Sequence, residues 1–176
     1  MKTHCRIITS LVLSILGTFY GCTENPHEPP GVVENNNEQY VFHTDHLTRY
    51  EFPTHFNELI VDRADSKKSE IYKVLVEPGK AVIHHQHEDL EQIFYILEGQ
   101  GWLFIGENKT VYLIAPGEVV RIPPQTLHSV KANDTDSLKY ICIDCYIKNP
   151  SYSSFELQYK VNCELNHWEP NISHTK

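Results

Sequence analysis

From residue 56 onward the chain alternates between short runs rich in Ile, Val, Tyr and Phe and turns centred on Gly or Pro. The runs are Phe56–Val61, Ile71–Glu77, Ala81–His87, Gln92–Leu97, Trp102–Ile105, Thr110–Ile114, Glu118–Ile122, Leu127–Lys131 and Leu138–Ile147. Between them lie Pro78-Gly79, Glu98-Gly99-Gln100-Gly101, Gly106-Glu107-Asn108, Pro116-Gly117 and Pro123-Pro124. Strand-like segments repeating every ~8–12 residues, with no helical period between them, exclude βαβ units and predict an all-β sandwich or barrel. Near the end, Tyr152, Phe155, Tyr159 and Cys163 recur at steps of three and four, the spacing of one helix face, so a short C-terminal helix should pack over the barrel.

The first residues read differently. Lys2 and Arg6 precede an apolar run, Ile7–Tyr20, short for a membrane span and of the length of a signal-peptide core. Gly21-Cys22 follows, similar to a bacterial lipoprotein signal in which the Cys becomes a lipidated N-terminus. The reading is a signal peptide over 1–21, Cys22 as lipidation site, and a Pro-, Asn- and Glu-rich flexible tether over 22–39. A single folded domain occupies 40–168, with 169–176 as a tail. This places the protein, exported, at a bacterial cell envelope, touching the membrane only through its lipid anchor.

With 15 basic against 23 acidic residues the net charge is −8, so no basic surface is available to displace counterions and nucleic acid is excluded as a partner. Cys142 and Cys145 form a CxxC within a strand-like run, where residues three apart face opposite ways; buried thiols are expected in place of a metal site or disulfide.

The composition is unusual in its 11 histidines. His84, His85 and His87 share one predicted strand, on which alternation puts His85 and His87 on one face and turns His84 away. Gln92 opens the next strand and His128 a later one. Two imidazoles from one strand, one from another and a side-chain carbonyl make a ligand set for a divalent transition metal, Zn, Fe, Mn or Ni.

These residues resemble the cupin superfamily. Its first motif places Gly, His-x-His, a Glu or Gln ligand and a second Gly at the spacing of Gly79, His85, His87, Gln92 and Gly99. Its second motif matches Gly117, Pro123 and His128, with Gln125 where the family has Gly and Asn133 one place beyond the expected Asn. The resemblance covers about residues 70–147 and implies a small antiparallel β-barrel, a double-stranded β-helix or jelly roll, with the metal held by His85, His87, Gln92 and His128. It also implies a homodimer. Most metal cupins use Glu as third ligand; here Gln92 leaves every ligand neutral, so the ion keeps its full charge toward an anionic oxygen. Glu91, one position earlier, would point to the other face.

One subgroup of single-domain cupins with His-x-His, Gln and His linearises 4,5-unsaturated uronates during pectin and alginate breakdown. Its Asp-x-Phe pair and following Arg on the last barrel strand are similar to Asp144, Tyr146 and Lys148 here. The resemblance implies Asp144 as general acid/base, Tyr146 as an aromatic wall, and Lys148 or Arg121 as the cation for a sugar carboxylate. The expected substrate is a small anionic sugar and the expected reaction its isomerisation or ring opening. An Fe(II)-dependent dioxygenase and a non-catalytic sugar- or metal-binding cupin are the alternatives.

Overall fold

The computed structural model describes residues 39–175; the expected signal peptide, Cys22 and nearly all of the expected tether lie outside the described residues. Ten strands and two helices follow in order: β1 Thr48–Glu51, β2 His55–Val61, α1 Arg63–Ser66, β3 Ser69–Val76, β4 Leu90–Glu98, β5 Gly101–Ile105, β6 Thr110–Ile114, β7 Val119–Ile122, β8 His128–Ala132, β9 Leu138–Tyr146, α2 Phe155–Asn166 and β10 Ile172–His174. They form a seven-stranded sheet in the order β10-β1-β2-β3-β9-β4-β7 and a three-stranded sheet in the order β6-β5-β8. Every strand pair is antiparallel. The all-β fold with a short C-terminal helix therefore holds, as a two-sheet jelly roll.

Alternation builds the core. Along β3 and β9 every second side chain is buried, which sends Tyr72, Val74 and Val76, and Leu138, Tyr140 and Cys142, to the inner face. Phe94 and Ile96 of β4, Leu103 of β5, and Val130 and Ala132 of β8 complete the packing. Each of the Val, Leu, Ile and Phe side chains among them, fully buried, contributes roughly 1.5–3 kcal/mol. Cys142 is buried inward while Cys145 is half-buried on the opposite face, and both are free thiols. The turn at Gly99 has φ +74°, and a Cβ there would collide with the Ser137 carbonyl oxygen, so this motif glycine is demanded by backbone approach.

Helix α2 starts at Ser154, whose Oγ accepts from Leu157 N at 3.3 Å, and stops at His167 in the left-handed conformation. Its buried face is Phe155, Tyr159 and Cys163; Tyr152 lies before the first turn. Phe155 packs on Tyr50 and Tyr72, and Tyr159 on Tyr50 and Phe52, so the helix covers the inner face of β1 and β3.

Besides the unanticipated α1, three elements depart from the expectation. Residues 172–174, expected as tail, are β10, paired with β1. β1 itself was not anticipated. Ala81–His87 is extended but is not a strand; it touches β8 through two isolated bridges, Ala81 to Lys131 and His85 to His128. Four steps along one chain face three along the other, so one residue is in excess and the ladder breaks at a bulge. No helix among the described residues is long and apolar enough to cross a membrane.

Candidate metal centre

The bulged segment and β8 bring the histidines together. Reciprocal bonds, His85 N to His128 O at 2.9 Å and His128 N to His85 O at 2.8 Å, pin the two backbones side by side. The ring centroids of His85 and His128 are 4.4 Å apart, those of His85 and His87 4.9 Å, and those of His87 and His128 5.8 Å. One ring nitrogen from each lies within 4.8 Å of the others. His84 turns away, its Nδ1 3.2 Å from Ser129 Oγ.

Backbone carbonyls set the tautomers. His85 Nδ1 is 2.7 Å from Ile83 O, and His128 Nδ1 is 2.8 Å from Thr126 O. A carbonyl only accepts, so each Nδ1 carries the hydrogen and each Nε2 presents a lone pair, the form that binds a metal. His87 Nε2 is buried with no partner among the described residues. Burial, ahead of the neighbouring imidazoles, lowers His87 to about 3 and His128 to about 4, and lowers His85 as well, so all three are neutral ligands at ordinary pH.

Gln92, buried on β4, reaches the same point: its Oε1 is 2.9 Å from His128 Nε2. Glu91 faces outward and pairs with Arg121. The lone pairs of His85 and His128, the His87 imidazole and a carbonyl oxygen thus converge, a donor set that fits one divalent transition metal. The residues present suit Zn, Fe, Mn and Ni alike.

Behind Gln92, strand register stacks further polar groups. Asp144 of β9 stands opposite Gln92 of β4 and opposite Glu70 of β3. Asp144 Oδ1 accepts from Gln92 Nε2 at 2.9 Å, and Oδ2 accepts from the Tyr72 hydroxyl at 3.2 Å. Burial pushes the Asp144 carboxyl up to about 7, against the hydrogen bond from Gln92. Glu70 is fully buried and takes a two-pronged ion pair from Arg63, at 2.7 Å on each oxygen. The Arg63 guanidinium lies 5.1 Å from the Tyr146 ring centroid.

These groups line one cavity of about 500 Å³, with apolar walls from Val74, Phe94, Val130 and Phe155. Tyr146 and Asp144 both line it. Arg121 and Lys148, expected near the ligand, do not. Arg121 alternates outward from the buried Val120 and Ile122 and is committed to Glu91, and Lys148 is exposed beyond the end of β9. The basic residue on the cavity wall is Arg63. Alternation along Ser69–Val76 could have placed Glu70 and Tyr72 inward, since they share a face with Val74 and Val76. Arg63 sits on a four-residue helical turn that leaves no periodic signal.

Residues 72–144 match the family model described as the cupin domain. An uncharacterized protein of Methanocaldococcus jannaschii is 31% identical over 75 residues, 43% of this chain and 58% of that protein. The chain therefore spans a little under three fifths of the length of the curated relative it matches. A structure described as a predicted oxalate decarboxylase from Thermotoga maritima superposes with a TM-score of 0.55 at 20% identity, covering 61% of this chain and 99% of its own. KdgF from Halomonas sp. superposes with a TM-score of 0.48 at 21% identity, over 56% of this chain and 88% of its own. The domain match spans the strands that carry the histidines, and the two-sheet jelly roll around them is the cupin fold.

Proposed function

We propose that this protein is a metal-dependent cupin that isomerises a small carbohydrate-derived acid, by ring opening of a 4,5-unsaturated uronate released in polysaccharide degradation. The observation that carries the reading is the neutral donor set with a buried carboxylate one hydrogen bond behind it, at the wall of a cavity of about 500 Å³. The same His-x-His, Gln and His pattern, with an Asp-x-aromatic pair on the last barrel strand, marks the uronate-linearising subgroup. Export by the signal peptide over 1–21, with anchoring at Cys22, belongs to this reading, as the location where polysaccharide fragments arrive.

A divalent ion held by His85, His87, Gln92 and His128 would supply undiminished positive charge to a carboxylate or hydroxyl oxygen. The chain's own groups do the rest. Ring opening breaks the bond between the anomeric carbon and the ring oxygen, removes the proton of the anomeric hydroxyl and delivers one to C4, with no net change in atoms. Asp144 is the proton carrier in reach of the cavity. Tyr146 forms a flat wall for the sugar, and Arg63, held in its ion pair with Glu70, lies 5.1 Å from that ring as the arginine of the cavity wall.

The metal-loaded protein should abolish the enol-ether absorbance of 4,5-unsaturated galacturonate, and a chelator should stop it. Oxygen uptake with no such absorbance change would favour the dioxygenase reading. Binding of galacturonate without turnover or oxygen uptake would favour a sugar-binding cupin.

A further inference from the structure

The geometry points to Asp144 and Tyr72 as a positioning pair that decides which end of the Gln92 amide faces the ion. The inference rests on the ligand set above and on no particular substrate. A side-chain amide has two ends of opposite character: its oxygen binds a cation and its NH2 group repels one. Gln92 Nε2 is surrounded by groups that accept, Asp144 Oδ1 at 2.9 Å, the Tyr72 oxygen at 3.5 Å and Cys142 Sγ at 3.7 Å. The Tyr72 hydroxyl donates to Asp144 Oδ2 at 3.2 Å and holds the carboxylate in place. Oε1 is left facing His128 Nε2 at 2.9 Å.

That last contact sets two lone pairs against each other, because His128 already spends its hydrogen on Thr126 O. The arrangement is unfavourable in isolation and favourable around a cation. An amide free to turn over would relieve it by donating Nε2–H to His128, which would cap one ligand and aim an NH2 group at the others. Turning over in the present structure would press Oε1 against the Asp144 carboxylate, so the inert orientation is blocked. Asp144 therefore acts on the ion through Gln92, without touching it.

The test is Zn2+ affinity of the full chain, read by competition with a chromophoric chelator. Asp144→Leu should weaken binding about 10–100-fold, the usual loss when a group that orients a metal ligand is removed. Asp144→Asn can donate to Oε1 as well as accept from Nε2, so it no longer blocks the turned-over amide and should weaken binding by less than Asp144→Leu. Because affinity is read without substrate, none of these losses reports proton transfer. In a Gln92→Glu background both ends of the side chain are oxygens, and Asp144→Leu should no longer weaken binding. Should Asp144→Leu not fold, Tyr72→Phe reads the same effect, a loss confined to the Gln92 background. Equal losses in the two backgrounds would mean general collapse of the pocket and would overturn the inference. Wild-type affinity in Asp144→Leu overturns it alone; a wild-type chain that takes up no Zn2+ overturns the ligand set along with it.

Discussion

Gln125 holds φ +60°, the left-handed region, on the turn that leads into β8. Its backbone N–H donates to His87 O at 2.6 Å, so this turn clamps the loop that presents one of the three imidazoles. The family's second motif has Gly here, and the physical reason is now visible: a side chain at positive φ costs about 1 kcal/mol that glycine does not incur. The Gln125 side chain is exposed. Gln125→Gly should therefore raise stability by about 0.5–1 kcal/mol, measured as a shift in urea midpoint, with the His85 to His128 bridge unchanged. Gln92 teaches a related lesson. Its selection over Glu91 was legible from motif spacing and alternation together, whereas the groups that orient its amide were not, because they arrive from β3 and β9 in a register that no local pattern encodes.

Elements were legible in proportion to their periodicity. β3 and β9 alternate cleanly over eight and nine residues, and α2 shows its face at steps of four. The segment over Ala81–His87 alternates in sequence but carries one residue too many against β8, an excess visible only once the partner is known. β1 and β10 are four and three residues long, and they pair with each other across nearly the whole domain, Thr48 opposite His174. Tyr159 ties these parts together. Its hydroxyl donates to Glu51 O at 2.7 Å and accepts from Asn171 N at 3.0 Å, linking α2 to the ends of both strands. Tyr159→Phe leaves those backbone groups unpaired and should cost about 1–3 kcal/mol. Hydrogen exchange should speed up at Tyr50, Glu51 and Ile172 while β4 and β9 keep their protection.

For the whole molecule, the buried titratable groups set a pH dependence of definite sign. His55, His87 and His128 are lowered from 6.5 to about 4, 3 and 4, chiefly by burial, and His85 is lowered too. A group lowered on folding contributes stability above its unfolded value that is lost as pH falls toward the folded one. Asp144, raised from 3.8 to about 7, and Glu70, also raised, act oppositely, losing their contribution as pH rises. Four imidazoles outweigh two carboxyls, so between about pH 4 and 6.5 the unfolded chain binds more protons and stability rises with pH. Metal-free protein should show a lower urea midpoint at pH 5 than at pH 7. Saturating Zn2+ should raise both midpoints by similar amounts, because burial keeps the folded site's imidazoles neutral at either pH.

The pairing of β1 with β10 also has a consequence in time. A chain made from its N-terminus onward exposes Thr48–Glu51 long before Ile172–His174 exists to cover its edge. The last ladder forms only when synthesis has passed residue 174, and loops of that length close slowly. During that interval one margin of the large sheet stays open to other nascent chains. The order of manufacture, as much as the final packing, therefore determines when this barrel is safe from its neighbours.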